Sequence, residues 1–210
     1  MKRTRSPPSD GALVKEDVLE QIVEDWLHLD GWFTVHNVPF KPRKDRPDYV
    51  SQQDAVASDI DVLAVHPLRK GRERVIAVSC KSWQSGFDAT AKLAELRGEK
   101  KNPKRATWRH FRELWIPKWS EAFCDVVEER TGQREFTYRV AVTRLKGDDT
   151  AWRDDPTIAT NLPGCDIGFV TFDEMWASVM EPDATGSTKP APSEIGRLAQ
   201  LLRAAGHGSS

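Results

Sequence analysis

Residues 75–78 are Val75, Ile76, Ala77 and Val78, apolar at every position. A strand turns successive side chains to opposite faces, so a run that is apolar throughout is buried on both. That demands a central strand in a sheet covered on each side. A chain of 210 residues is long enough to build one such core. The run then ends in Ser79, Cys80 and Lys81. Lysine is almost never fully buried without a partner, so a counter-charge is expected where that strand stops.

The rest of the chain supplies the covering layers. Val14, Val18, Ile22, Trp26 and Leu29 recur at spacings of three and four and predict a helix over 13–30, stopped at Gly31. Strands are expected at 32–40, 58–65, 74–83, 136–145 and 166–172. The polar turn between the second and third is short enough for a hairpin-like connection. A helix over about 89–101 is broken by Asn-Pro-Lys-Arg, and another over 107–129 carries a kink at Pro117. Weak helical character lies within 151–162, and a helix over 173–180 takes Asp173 as its cap. The order predicts a mixed α/β fold, a central β-sheet flanked by helices, over 12–181. Residues 1–11, basic and rich in Pro and Ser, are expected to be disordered. Residues 182–193 read as a linker. Ile195, Leu198, Leu201 and Leu202 give a short amphipathic helix over 194–205, expected to dock on the domain or on a partner.

Composition narrows the function classes. Charged residues are 30% and hydrophobic ones 39%, as in globular domains. No apolar run approaches the roughly 20 residues of a membrane span, and no apolar stretch follows the basic start, so neither a membrane nor a secretory signal is expected. Cys80, Cys124 and Cys165 lack paired metal spacing and read as free thiols, which points to the cytoplasm. Net charge is −1, but charge is uneven. Seven Lys/Arg stand against one acid from Arg97 to Arg112, and four against one in 41–46. A solvated face explains such runs in general; a phosphate-binding surface needs only this local excess. Eight tryptophans are many, but Trp26, Trp115 and Trp119 fall on apolar helix faces and read as core. None is assigned a base-stacking role.

Alternation puts Asp59 and Asp61 on one strand face and Ser79 and Lys81 on another. If the two strands pair, these polar groups meet at one edge of the core. A structural ion pair between Asp61 and Lys81 accounts for that as readily as catalysis does. Glu16, Glu20 and Glu24 repeat at every fourth residue along the first helix, as on an ordinary solvated face.

Three segments together carry a family resemblance: "LEQIVEDWLHLDGWFTV", "SDIDVLAV" and "VIAVSCKSW". They resemble the PD-(D/E)xK nuclease superfamily, most of all its Mrr-type restriction endonuclease branch. The matching features are Glu20 placed ahead of the Gly31-Trp32 step, the Asp59-Ile60-Asp61-Val62 unit, and Ser79-Cys80-Lys81 where the family has acid-x-Lys. The resemblance implies a restriction-endonuclease-like fold and Mg²⁺-dependent hydrolysis of DNA phosphodiesters, with Mn²⁺ as a substitute ion. It assigns Glu20, Asp61 and Lys81 to the catalytic set, with Asp61 and the Cys80 carbonyl as metal ligands. Ser79 departs from the pattern, because a hydroxyl is a poor ligand for a hard cation. Some restriction enzymes with a Ser-x-Lys strand use a Glu on the following helix, and Glu95 stands in that place here as catalytic residue and metal ligand. Asp88 and Glu99 are alternatives. Lys100, Lys101, Lys104, Arg105 and Arg109 would then neutralise DNA phosphates beside the site.

Three readings follow. The first is a Mg²⁺-dependent DNA endonuclease serving defence, recombination or repair. The second, prompted by Ser79, is an inactive member that binds DNA within a larger complex. The third is an interaction subunit that pairs with a second copy or another protein through its C-terminal helix.

Overall fold

A computed structural model describes residues 18–100, 107–180 and 190–206. Its centre is a five-stranded mixed sheet in the order β1-β2-β3-β5-β7. The strands are β1 (Phe33–Phe40), β2 (Ser58–Val65), β3 (Val75–Lys81), β5 (Thr137–Val142) and β7 (Asp166–Thr171). The first three form an antiparallel meander, and β5 and β7 join parallel to β3. β3 sits in the middle, as its unbroken apolar run requires. Short β4 (Phe87–Asp88) and β6 (Leu145–Lys146) pair beside it.

Both faces of the sheet are covered. On one face, Leu63, Val75, Ala77, Tyr138, Val140 and Val142 pack against α3 (Ala89–Leu96), α4 (Arg112–Trp115), α5 (Pro117–Thr131), α6 (Thr150–Arg153) and α7 (Pro156–Asn161). On the other, Val62, Ala64, Ile76, Val78 and Ala141 meet α1 (Val18–Leu29) and α8 (Phe172–Met180). Alternation along β3 thus feeds two cores. Asn37, at φ 51°, breaks the alternation of β1, so Val38 and Phe40 join the first core while His36 faces Glu24 of α1.

Several expected boundaries move. α3 ends at Leu96 rather than 101: Arg97 turns to bind Asp155, and Gly98 takes φ 76°, a left-handed conformation that closes a helix. The single helix expected over 107–129 is three pieces: a 3-10 turn at Thr107–His110, then α4, then α5. Ile116 is extended ahead of Pro117, which begins α5 at the position where its missing N–H costs nothing. Asp173 is not the cap of α8. Thr171 Oγ1 accepts the Glu174 N–H, and Glu174 accepts the Thr171 N–H at 2.7 Å, a reciprocal capping box.

The loop after β1 is pinned on α5 by a buried centre. Asp54, in the short helix α2 (Ser51–Asp54), accepts from Lys118 Nζ at 2.7 Å, Trp119 Nε1 at 3.1 Å and the Val50 N–H. Burial alone would raise the Asp54 carboxyl, but these donors hold it below its ordinary range. α9 (Glu194–Ala204) docks on α1 and α8. Ser193 donates to buried Asp25 through both N–H and hydroxyl, and Gln200 donates to the Val179 carbonyl. Ala191, expected within the linker, is buried in this contact. Residues 1–11 and most of the expected linker lie outside the described residues. Among the described residues no helix is long and apolar enough to cross a membrane.

Candidate active site

The chemistry-bearing edge forms where β2 and β3 part. Their ladder ends at Val62–Val78. Beyond it, the Asp61 carboxylate takes the place of a strand carbonyl and accepts the Cys80 N–H at 2.5 Å. Lys81 Nζ donates to Ser79 Oγ at 2.7 Å and lies 5.6 Å from the Phe111 ring centroid. Burial pushes the Asp61 carboxyl above its ordinary range, against the pull of Lys81, the Cys80 N–H and Ser79; Asp59 adds to the rise. Asp61 thus feels the charge of Lys81 across the splayed strand ends, but the expected ion pair is not formed: Asp61 accepts the Cys80 N–H and Lys81 donates to Ser79.

Glu113 on α4 completes the cluster, a residue that sequence reasoning missed. Its side chain is buried, and Tyr138 Oη donates to Glu113 Oε1 at 2.6 Å. Burial pushes Glu113 upward, Lys81 and the Tyr138 hydroxyl pull it back, and Asp61 pushes it further up. Tyr138 is raised well above its usual value, first by burial and then by Glu113. A buried carboxylate, Glu113, and a half-buried one, Asp61, therefore share the field of one lysine. The only sequence signal was Arg112 and Glu113 side by side within the apolar run Phe111, Leu114, Trp115.

Cations flank this edge. The Arg112 guanidinium stacks on Trp119 with its carbon 4.7 Å from the ring centroid, and its Nε is buried without a hydrogen-bond partner. Burial, and then Arg109, pull its pKa down. Arg109 is exposed and lies over Trp108. Lys100 is exposed beyond the end of α3, while Lys101, Lys104 and Arg105 lie outside the described residues.

The remaining candidates are placed as follows. Glu95 binds Lys92 Nζ at 2.8 Å and accepts the Thr107 hydroxyl. Asp88 caps α3 through the Ala91 N–H, and Glu99 is exposed in the turn after it. Glu20 is half-buried on α1, the helix whose apolar side covers the sheet face away from Tyr138. Glu24 is engaged with His36 and Thr34, and Glu16 lies outside the described residues. No cluster of three or more His, Cys, Asp or Glu suited to a metal occurs among the described residues.

Asp61 and Glu113 nonetheless fit a hard divalent ion. Both offer carboxylate oxygens, each is held above its ordinary pKa chiefly by burial, and Asp61 raises Glu113 further. Mg²⁺ commonly binds through one or two carboxylates and keeps waters in its other positions. Comparison with known proteins adds no further constraint: no family model, curated protein or solved structure matches the chain.

Proposed function

We propose that the splayed edge is the active site of a metal-dependent phosphodiesterase acting on DNA, with a restriction-endonuclease-like arrangement of β2 and β3. One observation carries this reading: half-buried Asp61 and buried Glu113 are both pushed upward, and both lie under the field of Lys81. Taking carboxylates out of water costs several kcal/mol unless a cation offsets it. A site that binds such a cation has a reason to maintain that cost.

Asp61, Glu113 and the Cys80 carbonyl would hold Mg²⁺ or Mn²⁺. Bound there, the ion would polarise a phosphoryl oxygen and acidify water. The chain's own groups do the rest. Lys81 aims its ammonium at the reacting phosphate, where negative charge builds in the transition state. Ser79 fixes its direction by accepting one of its hydrogen bonds. Arg109, exposed beside Trp108, holds a flanking phosphate. Hydrolysis breaks one P–O bond and adds water across it, oxygen to phosphorus and a proton to the leaving alkoxide. In this assignment Glu113, rather than Glu95, supplies the carboxylate that Ser79 lacks.

The test is cleavage of plasmid and oligonucleotide DNA with Mg²⁺, Mn²⁺ or EDTA. Lys81→Met and Asp61→Asn should each lower the rate at least 100-fold while the proteins remain folded. Metal-dependent cleavage that survives Lys81→Met would refute the assignment.

A second reading has its own observation. Ser79 binds Lys81, whereas an active acid-x-Lys strand would present a carboxylate there. A wild type that binds DNA with a strong salt dependence and never cleaves it would be a binding module within a larger complex. Leu198, Leu201 and Leu202 stay exposed on docked α9, the surface for a second copy or protein partner under either reading.

A further inference from the structure

A cleft of about 530 Å³ opens beside Lys81, lined by Trp83, Gly86, Asp88, Lys92, His110 and Lys146 among others. Its two aromatic walls both adjoin the proposed active site. The Trp83 N–H donates to the Lys81 carbonyl at 2.8 Å. His110 directly precedes Phe111, whose ring lies under the Lys81 ammonium. Anything held between those walls sits next to the phosphate that Lys81 would bind.

Trp83 is built as a fixed platform. One face stacks on Phe87, with centroids 5.5 Å apart and planes 21° apart, and the His110 ring meets it edge-on at 5.7 Å. Its carbonyl accepts from Thr143 Oγ1 at 2.6 Å and from the Gly86 N–H at 2.8 Å. Gly86, at φ 79°, makes the turn in a conformation that side chains disfavour, and a Cβ there would lie 3.0 Å from the Arg144 carbonyl oxygen. The surface of Trp83 that remains lines the cleft.

The polar groups are positioned as well. Lys92 Nζ lies 5.7 Å from the Trp83 ring centroid and is steered by Glu95, which also takes the Thr107 hydroxyl. Lys146 Nζ is tied to the Ser85 carbonyl at 2.7 Å. Glu95 therefore acts on the cleft, by orienting Lys92 and Thr107. An aromatic plane, two ammonium groups and one carboxylate, Asp88, form a lining for a flat, polar, π-rich ligand on an anionic chain.

Given the proposed phosphodiesterase, we infer that this cleft takes one unpaired nucleobase next to the scissile phosphate, stacked on Trp83. A base within an intact duplex is covered on both faces by its neighbours and cannot reach Trp83. The preferred substrate is then a strand with an unpaired nucleotide at the cut: single-stranded, flapped or locally opened DNA.

The experiment measures binding by the full chain in EDTA, so that cleavage plays no part. Three probes are compared: a single-stranded oligodeoxynucleotide, the same length of abasic tetrahydrofuran phosphate chain, and the blunt duplex. The wild type should bind the base-bearing strand about ten-fold tighter than the abasic chain, the effect of one stacked base. Trp83→Ala should erase that preference without weakening abasic binding, and Trp83→Phe should keep part of it. Duplex affinity should not respond to Trp83. Equal wild-type affinity for the base-bearing and abasic strands overturns the inference, as does a base preference that survives in Trp83→Ala. Should Trp83→Ala fail to fold, the wild-type comparison and Trp83→Phe still decide. The two proposals fail separately: a base preference without metal-dependent cleavage removes the nuclease, and cleavage without base preference removes the base site.

Discussion

Replacing Glu113 by Gln removes one titrating carboxyl from the core and keeps its shape. The amide oxygen can still accept the Tyr138 hydroxyl, now bound at 2.6 Å. The altered hydrogen bonding of the new NH₂ costs about 1–3 kcal/mol if it finds no partner. Against that stands a pH-dependent gain. The folded pKa of Glu113 is raised, chiefly by burial. Its contribution to stability is therefore fully present below the unfolded value, near 4.3, and is lost as pH rises through the folded value. Over that window the unfolded chain has lost a proton that the folded one keeps. Wild-type stability should fall by up to about 1.4 kcal/mol per pH unit from this group alone. Asp61 is shifted the same way and adds the same sign. Glu113→Gln lacks the Glu113 share, so its stability should decline less steeply as pH rises. Urea titrations in EDTA between pH 4 and 8 measure the two slopes. Repeating them with Mn²⁺ reads the site itself: an ion at ten times its dissociation constant stabilises the wild type by about 1.4 kcal/mol and should give Glu113→Gln much less. Parallel pH slopes, or equal Mn²⁺ stabilisation of both proteins, would refute the reasoning.

Two further outcomes test the frame around the site. Asp54→Asn leaves the buried Lys118 ammonium without its counter-charge, so urea denaturation at pH 7 should show a loss of about 3–5 kcal/mol. Because the folded pKa of Asp54 is lowered, the stability it contributes is present above its unfolded value and lost as pH falls through the folded one; the penalty of Asp54→Asn should shrink below about pH 4. In Gly196→Ala the new methyl would lie inside contact distance of Asp25 Oδ2 and 2.6 Å from Ala191 Cβ. Overpacking of about 1–3 kcal/mol should loosen α9, seen as faster hydrogen exchange across 193–204 with the exchange of β3 unchanged.

The strands were legible because their period is short, and β3 most of all because it is apolar and buried along most of its length. β2 runs from Ser58 to Val65, the residues its pattern predicted, and the apolar run of β3 could occupy only a central place. The convergence of Asp61 and Lys81 on one edge followed from the same alternation, since neighbouring core strands that end in opposite charges bring them together there, although Lys81 donates to Ser79 and not to Asp61. Helix limits were less legible, because they rest on single backbone conformations: Gly98 turning left-handed, Ile116 extended before Pro117, and Thr171 rather than Asp173 as the cap. Glu113 was barely legible in the sequence. Within 107–131 it is one charge among many, and its burial arises only when α4 lies over Tyr138, a residue 25 positions away. Trp83 and Glu95 depended on the fold in the same way. Side-chain spacing fixes which residues share a strand or helix face, but the packing of distant segments decides which charges lose their water, and with it which of them have altered chemistry.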